Sequence, residues 1–339
     1  KFNRAGVIPI AYEDGLDRLE ERVAHSDFTR VGLIGTVTTR HSAPEDYRDR
    51  VRELLGPMER LKVAVDCANG MAGQEFPVVF DGMDLDIEIM NETLDGDFPA
   101  HSPNPLLPES QAALARTVKE SGADLGIIFD GDGDRTAFLD ENGEFIPNDV
   151  VTALLAGFYL RDNPGAAIVA DFRSTRSVQE YIDEKGGTLI TSRVGHSYIK
   201  DTMREVDAVF GGDIAGHYYF RDNFYSEASA LTAGKMMELL SVSKEPLSRL
   251  AAPLGKYCNT GEVNYPVDDQ DAAIERVEKE FSGEGEIDRM DGITLRRPEY
   301  WFNIRPSHTE PVVRFMAEAE DENILEGVKA RVEKALGVG

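Results

Sequence analysis

Residues 108–135, PESQAALARTVKESGADLGIIFDGDGDR, pass from a helix-spaced segment through a glycine into a short apolar run and then an acidic loop. The spacing predicts a helix over 109–121, a break at Gly122 and a strand over 124–129. The same succession recurs along the chain. LKVAVDCANGMAG (61–73) predicts a buried strand at 63–65 that enters a glycine turn and a helix. From 149 to 256, helix-like VVTALLAGFYL, SVQEYIDEK, YIKDTMREV and the long amphipathic ASALTAGKMMELLS alternate with strand-like AAIVADF, TLITSRV and AVFGGD. Consecutive parallel strands need a helix-length crossover, so this alternation predicts parallel or mixed sheets with helices on their faces. Residues 257–339 change character: TGEVNYPV, GITLRR, YWFNIRP and VVRFMAEA read as strands, with helices over 272–281 and 324–336. The fold class expected is therefore repeated mixed-sheet α/β domains followed by a small α+β C-terminal domain, with bounds at 1–57, 58–145, 146–256 and 257–339. The first of these ends in a helical segment, SAPEDYRDRVRELLG, with Ser42 as N-cap and Gly56 as stop. TAFLDENGEFI predicts a hairpin around 141–143.

Composition narrows the function classes. A chain of 339 residues is long for one core. The net charge of −26 argues against nucleic acid and anionic membranes as partners. The same acidity is compatible with high-salt adaptation, and it requires that the basic residues gather wherever an anionic substrate binds. No apolar stretch approaches the ~20 residues of a membrane span, and KFNRAGVIPI has no signal-peptide pattern; a cytoplasmic protein is expected. Cys67 and Cys258 are far apart and predict buried thiols, not a disulfide framework.

The chemistry centres on Asp130, Asp132 and Asp134. Three carboxylates at alternate positions repel one another unless a cation lies among them, and Gly131 and Gly133 let the backbone curl so that all three point inward. Counted as a calcium hand, the loop places Asp132, Asp134 and Glu141 at positions 3, 5 and 12, but position 6 is Arg135 where glycine is needed, and the flanks are strands. An aspartate-nucleophile phosphatase is a second reading. The third is an octahedral Mg²⁺ site, with Arg135 beside it for a phosphate. Further along, RPSHTEPVVR (305–314) offers the planar fork of Arg305 and the hydroxyls of Ser307 and Thr309 in a Pro-stiffened loop, suited to phosphate or to a capped turn. GGDIAGH (211–217) places Asp213 and His217 in a glycine turn suited to sugar hydroxyls, and RVGHSYIK sets His196 after a glycine at a strand end.

Taken in order, GDGDR, VGHSYIK, GGDIAGHYYF and RPSHTEP resemble the α-D-phosphohexomutase family, in particular its bacterial and archaeal phosphomannomutase/phosphoglucomutase branch. The resemblance runs the length of the chain. It implies four domains around a cleft and an isomerase of carbohydrate metabolism. Such an enzyme moves a phosphoryl group between the 1- and 6-positions of mannose or glucose through an active-site phosphoserine and a hexose 1,6-bisphosphate. Carried over, Asp130, Asp132 and Asp134 hold Mg²⁺, and Arg135 contacts the phosphoserine phosphate. Arg173 and His196 serve proton transfer and the phosphate environment. Asp213 and His217 bind sugar hydroxyls, while Arg305, Ser307 and Thr309 hold the distal phosphate. Hexose phosphates and the bisphosphate are the partners implied, with the chain as monomer or homodimer.

The chain departs from the family at several positions. Asp213 and Ala215 stand where glutamate and serine are usual, Arg173 where lysine is common, and His308 where asparagine or glycine is usual. The family's Ser-His-Asn-Pro loop precedes a Lys-Phe strand start, and here Lys1 and Phe2 match that start. HSPNP (101–105) lies in the second domain, so Ser102 is set aside as nucleophile. The expectation is a chain lacking the phosphoserine and most of the first domain, and inactive alone. A non-catalytic sugar-phosphate-binding protein is the alternative from a different class, and phosphoglucosamine mutase the nearest enzymatic one.

Overall fold

The computed structural model describes residues 1–338 apart from 29–31, 33, 34, 308 and 309. It contains two compact units, Lys1–Asp171 with Tyr181–Ala252, and Phe172–Glu180 with Pro253–Gly339.

The first unit opens with a short antiparallel pair, β1 (Asn3–Arg4) and β2 (Ile8–Pro9), then α1 (Asp17–Ala24) and α2 (Ala43–Leu54). Ser42 does not cap α2: its hydroxyl donates to the Asp46 carboxylate (3.2 Å), so no helix amide is satisfied by it. The helix ends before Gly56, because Leu55 is already extended.

Next come β3 (Lys62–Asp66), α3 (Ala72–Phe80), β4 (Asp86–Met90), α4 (Pro108–Ser121), β5 (Leu125–Phe129), β6 (Thr136–Leu139) and β7 (Phe145–Ile146). α4 starts on a proline, whose missing N–H costs nothing in a first turn, and stops at Gly122 with φ +67°. The sheet order is β4-β3-β5-β6-β7, with the first three parallel and the last two added as antiparallel hairpins.

A second round follows: α5 (Asn148–Leu160), β8 (Ala167–Asp171), α6 (Arg176–Glu184), β9 (Thr188–Ser192), α7 (His196–Glu205), β10 (Phe210–Gly212), β11 (Tyr218–Phe220) and β12 (Ser226–Glu227). Its sheet, β9-β8-β10-β11-β12, has the same order and the same strand senses as the first. The repeated mixed-sheet α/β organisation expected from the sequence is present.

α8 (Ser229–Ser243) and α9 (Leu247–Ala251) close the unit. α8 corrects the expectation of an amphipathic helix: Ser229 through Glu238 are all buried. A helix covered on every side carries no solvent face for polar residues to mark.

The second unit is built on one antiparallel sheet. Its strands are β13 (Cys258–Asn259), β14 (Val263–Pro266), β15 (Glu286–Asp288), β16 (Ile293–Arg296), β17 (Tyr300–Pro306) and β18 (Val312–Ala319). α10 (Gln270–Glu280) and α11 (Glu322–Leu336) pack against it through a core that includes Val277, Phe281, Phe302, Phe315, Val328 and Val332. Asp269 and Asp321 cap these helices, each accepting backbone N–H bonds of the first turn. Cys67 is buried and Cys258 half-buried, and both are free. Among the described residues no helix is long and apolar enough to cross a membrane.

Candidate functional site

The aspartate loop joins β5 to β6 in the first unit. Fully buried Asp130 shapes it: Oδ1 accepts the backbone N–H groups of Asp134 (3.0 Å) and Arg135 (3.1 Å), and Oδ2 accepts Arg135 Nε at 2.6 Å. Gly133 adopts φ +74°, a left-handed conformation that costs a side-chain-bearing residue strain. Gly131 faces the Phe98 ring, which a Cβ would meet at 3.0 Å. The Ser229 hydroxyl, at the start of α8, donates to the Gly133 carbonyl and anchors the loop from behind. The outcome is convergence: one carboxylate oxygen each from Asp130, Asp132 and Asp134 lies within 4.8 Å of the others. An all-oxygen, anionic donor set of this kind fits a hard divalent cation such as Mg²⁺. Asp132 is the exposed member.

Burial raises the Asp130 carboxyl pKa against the opposing pull of Arg135. Burial acts the same way on Asp134, but His217 and Lys1 outweigh it and hold Asp134 below the usual carboxylate range. Beside the loop is a cavity of about 450 Å³ lined by Phe98, Ser102, Asn104, Asp132 and Arg135, among others. Ser102, set aside as nucleophile, thus stands on the wall that carries Asp132 and Arg135. Its loop is held by His101, whose Nε2 lies 3.1 Å from buried Asp66.

The glycine-rich turn expected to meet sugar hydroxyls joins β10 to β11, the same strand-to-strand position in the second sheet that the aspartate loop has in the first. Gly216 has φ +97°, and its carbonyl accepts the Thr136 N–H at 2.9 Å, which ties the two loops together. Asp213 turns inward. Its Oδ1 accepts the N–H groups of Ala215 and His217 (3.0 Å each), and its Oδ2 accepts the Tyr219 hydroxyl (3.0 Å). His217 bridges the loops, with Nδ1 3.0 Å from Asp213 Oδ2 and Nε2 3.3 Å from Asp134 Oδ1. Burial would lower its pKa, but Asp213 and Asp134 together raise it to about 9.

His196 starts α7. Burial first, then Lys200 and Lys1, push its pKa down to about 4, and its Nδ1 has no hydrogen-bond partner. Glu227, to which sequence reasoning assigned nothing, pairs with Lys200 at 2.9 Å and with Lys1, which also pairs with Asp134. Nothing in the local pattern YSEAS marks Glu227, because its partners are contributed by distant segments.

Arg173, Arg305 and Ser307 lie in the second unit. Arg305 on β17 and Arg314 on β18 are direct cross-strand neighbours, and Ser307 Oγ is 3.4 Å from Arg314 Nη2. Glu262, also missed from the sequence, accepts from Arg305 (2.6 Å), Arg173 (3.3 Å) and Arg314 (3.4 Å). Thr309 lies outside the described residues.

Family models match three consecutive segments: phosphoglucomutase/phosphomannomutase alpha/beta/alpha domain II over 45–143, alpha/beta/alpha domain III over 147–257 and the C-terminal domain over 262–335. The chain belongs to the phosphoglucomutase/phosphomannomutase family. A phosphomannomutase of Methanocaldococcus jannaschii is 37% identical over 80% of this chain and 60% of its own length. Among solved structures, a phosphoglucomutase/phosphomannomutase family protein from Burkholderia thailandensis superposes with TM-score 0.87 at 28% identity, over 95% of this chain and 69% of that one. Aspergillus fumigatus N-acetylphosphoglucosamine mutase in complex with GlcNAc-6P and magnesium shares the fold, with TM-score 0.63 at 16% identity over 86% of this chain and 68% of its own. The chain therefore spans 60% to 69% of the length of these family members.

Proposed function

We propose that this chain carries the metal, sugar and phosphate sites of a phosphohexomutase. The enzyme interconverts hexose 1-phosphate and hexose 6-phosphate, of mannose and glucose, through a phosphoserine and a hexose 1,6-bisphosphate. The observation that carries the reading is the convergence of the Asp130, Asp132 and Asp134 carboxylates in a chain of this family. The M. jannaschii relative bears the name phosphomannomutase, which supports the substrate class, and the Aspergillus structure holds a sugar phosphate and magnesium, which supports the metal.

In this reading residues 58–145, 146–256 and 257–339 are the metal-, sugar- and phosphate-binding domains. Asp130, Asp132 and Asp134 hold Mg²⁺, which when bound neutralises charge on phosphoryl oxygens. Arg135 contacts the phosphoserine phosphate. His196 and Arg173 serve proton transfer and phosphate charge. His217 and Asp213 orient the sugar, and Arg305, Ser307 and Thr309 hold the distal phosphate. Because phosphoryl transfer leaves little covalent work to the protein, placement of cations is the main contribution these residues make. No Ser-His-Asn-Pro sequence occurs among the 339 residues, so the chain by itself binds hexose phosphates without interconverting them.

Asp132→Asn is the informative variant, since Asp130 also builds the loop. Calorimetric titration of the 339-residue chain with MgCl₂ is expected to show a site that Asp132→Asn weakens about tenfold or more, the loss of one charged ligand. An unchanged Mg²⁺ isotherm sinks the metal assignment. Release of inorganic phosphate from mannose 1-phosphate, abolished in Asp130→Asn, would establish a phosphatase instead.

A further inference from the structure

Gly131 separates two of the three clustered aspartates, and two segments with no part in the proposed chemistry hold it in place. From one side comes the turn after β3. Its Met71 N–H donates to the Gly131 carbonyl at 3.1 Å, and a Cβ on Gly70 would stand 2.6 Å from that carbonyl oxygen. From the other side come Phe98 and Pro103, whose side chains a Cβ on Gly131 would meet at 3.0 and 3.1 Å. Packing this close transmits displacement, so a shift of either segment moves the backbone that spaces Asp130 from Asp132.

Asn69 joins the two segments. Its backbone N–H donates to the Asn91 carbonyl (2.9 Å), and its carbonyl accepts the Asp95 N–H (3.0 Å). Its side chain donates through Nδ2 to the Thr93 carbonyl (2.9 Å) and accepts through Oδ1 from the Ala100 N–H (3.4 Å). One residue thus engages both ends and the middle of 91–100, the stretch that carries Phe98. Beneath it, fully buried Asp66 ties the same parts together: its Oδ1 accepts the Ala68 N–H and Asn91 Nδ2, at 2.9 Å each.

A staple that served the fold alone would leave its neighbours in relaxed backbone. Here Ala68, Asn69, Asn91 and Phe98 all have left-handed φ, between +47° and +53°, a conformation unfavourable for alanine and phenylalanine and tolerated by asparagine. Strain of this kind persists only where surrounding contacts over-determine it, and it gathers at sites whose geometry matters. Asparagine at position 69 supplies both the tolerance and the bonds.

We propose that Asn69 is a positioning residue for the metal loop: by binding 91–100 to the turn after β3 it fixes Gly131, and with it the spacing of the Asp130 and Asp132 carboxylates. The proposal rests on the reading of Asp130, Asp132 and Asp134 as the Mg²⁺ ligands.

Calorimetric titration of the full 339-residue chain with MgCl₂, beside urea unfolding midpoints, tests it. Asn69→Gly keeps the left-handed backbone free of steric cost and removes only the two side-chain bonds. It is expected to raise the Mg²⁺ dissociation constant about tenfold, the scale on which groups that orient metal ligands act. A lowered midpoint with wild-type Mg²⁺ affinity overturns the proposal, since Asn69 would then serve the fold alone. Asp132→Asn separates the two readings. If it weakens Mg²⁺ binding and Asn69→Gly does not, the positioning role falls and the metal assignment stands; if it titrates like the wild type, the metal assignment itself falls. Should Asn69→Gly not fold, Asn91→Gly decides, because it cuts the bond from the same segment to Asp66 and keeps its own left-handed backbone. Weakened Mg²⁺ binding in that variant supports positioning, and wild-type binding refutes it.

Discussion

His196 shows how one residue's surroundings set a pH response. Its ring is partly buried at the start of α7, with Nδ1 unpartnered and Lys200 one turn further along the helix. Burial and the neighbouring lysines lower its pKa to about 4, against about 6.5 for a free imidazole. Between those values the unfolded chain takes up a proton that the folded chain refuses. Folded stability therefore falls as pH drops from about 6.5 toward about 4, by at most about 1.4 kcal/mol per pH unit from this group. His196→Asn removes that dependence. Urea unfolding at several pH values in this window is expected to show the variant gaining on the wild type as pH falls. A constant difference would mean that His196 is not held neutral.

At the scale of elements, the two α/β sheets repeat one topology, and in both the turn after the third strand carries a candidate site loop: 130–135 in one, 213–217 in the other. Each opens on a buried aspartate whose Oδ1 accepts backbone N–H bonds of its own turn. Rigid strands on either side and a carboxylate at the root give each loop a fixed shape with few residues. α8 reaches the first of these loops through Ser229 and meanwhile buries an ion pair, Lys235 with Glu238 at 2.8 Å, whose carboxylate also accepts the Gly56 N–H at 3.1 Å. Lys235→Ala leaves that carboxylate without its cation and is expected to cost about 3 kcal/mol in urea unfolding. The double variant Lys235→Met, Glu238→Leu is expected to recover part of the loss. A single-variant cost below about 0.5 kcal/mol would place the pair among exposed ion pairs.

For the molecule as a whole, a net charge of −26 means self-repulsion that salt screens. Raising KCl from about 0.05 to about 0.5 M, which shortens the Debye length severalfold, is expected to raise the unfolding midpoint. A falling midpoint would show that surface pairs, such as Arg331 with Glu280 and Glu284, outweigh the repulsion. The order of the longer helices and strands in 108–336 was legible from periodicity, since burial on one face leaves a period in the chain; β11, β12, α9, β13 and β15, of two to five residues each, are too short to show one. The aspartate cluster was legible because its three ligands fall at alternate positions within five consecutive residues. α8 was misread because complete burial erases the period, and Ser42 because a hydroxyl's choice between an amide and Asp46 is a matter of geometry. Glu227 and Glu262 were invisible for a different reason: the partners of Glu262 are 89, 43 and 52 residues away. Local patterning determines which segments become strands and where each side chain alternates. Which carboxylate meets which cation depends on strand register across the sheet, and only folding settles that.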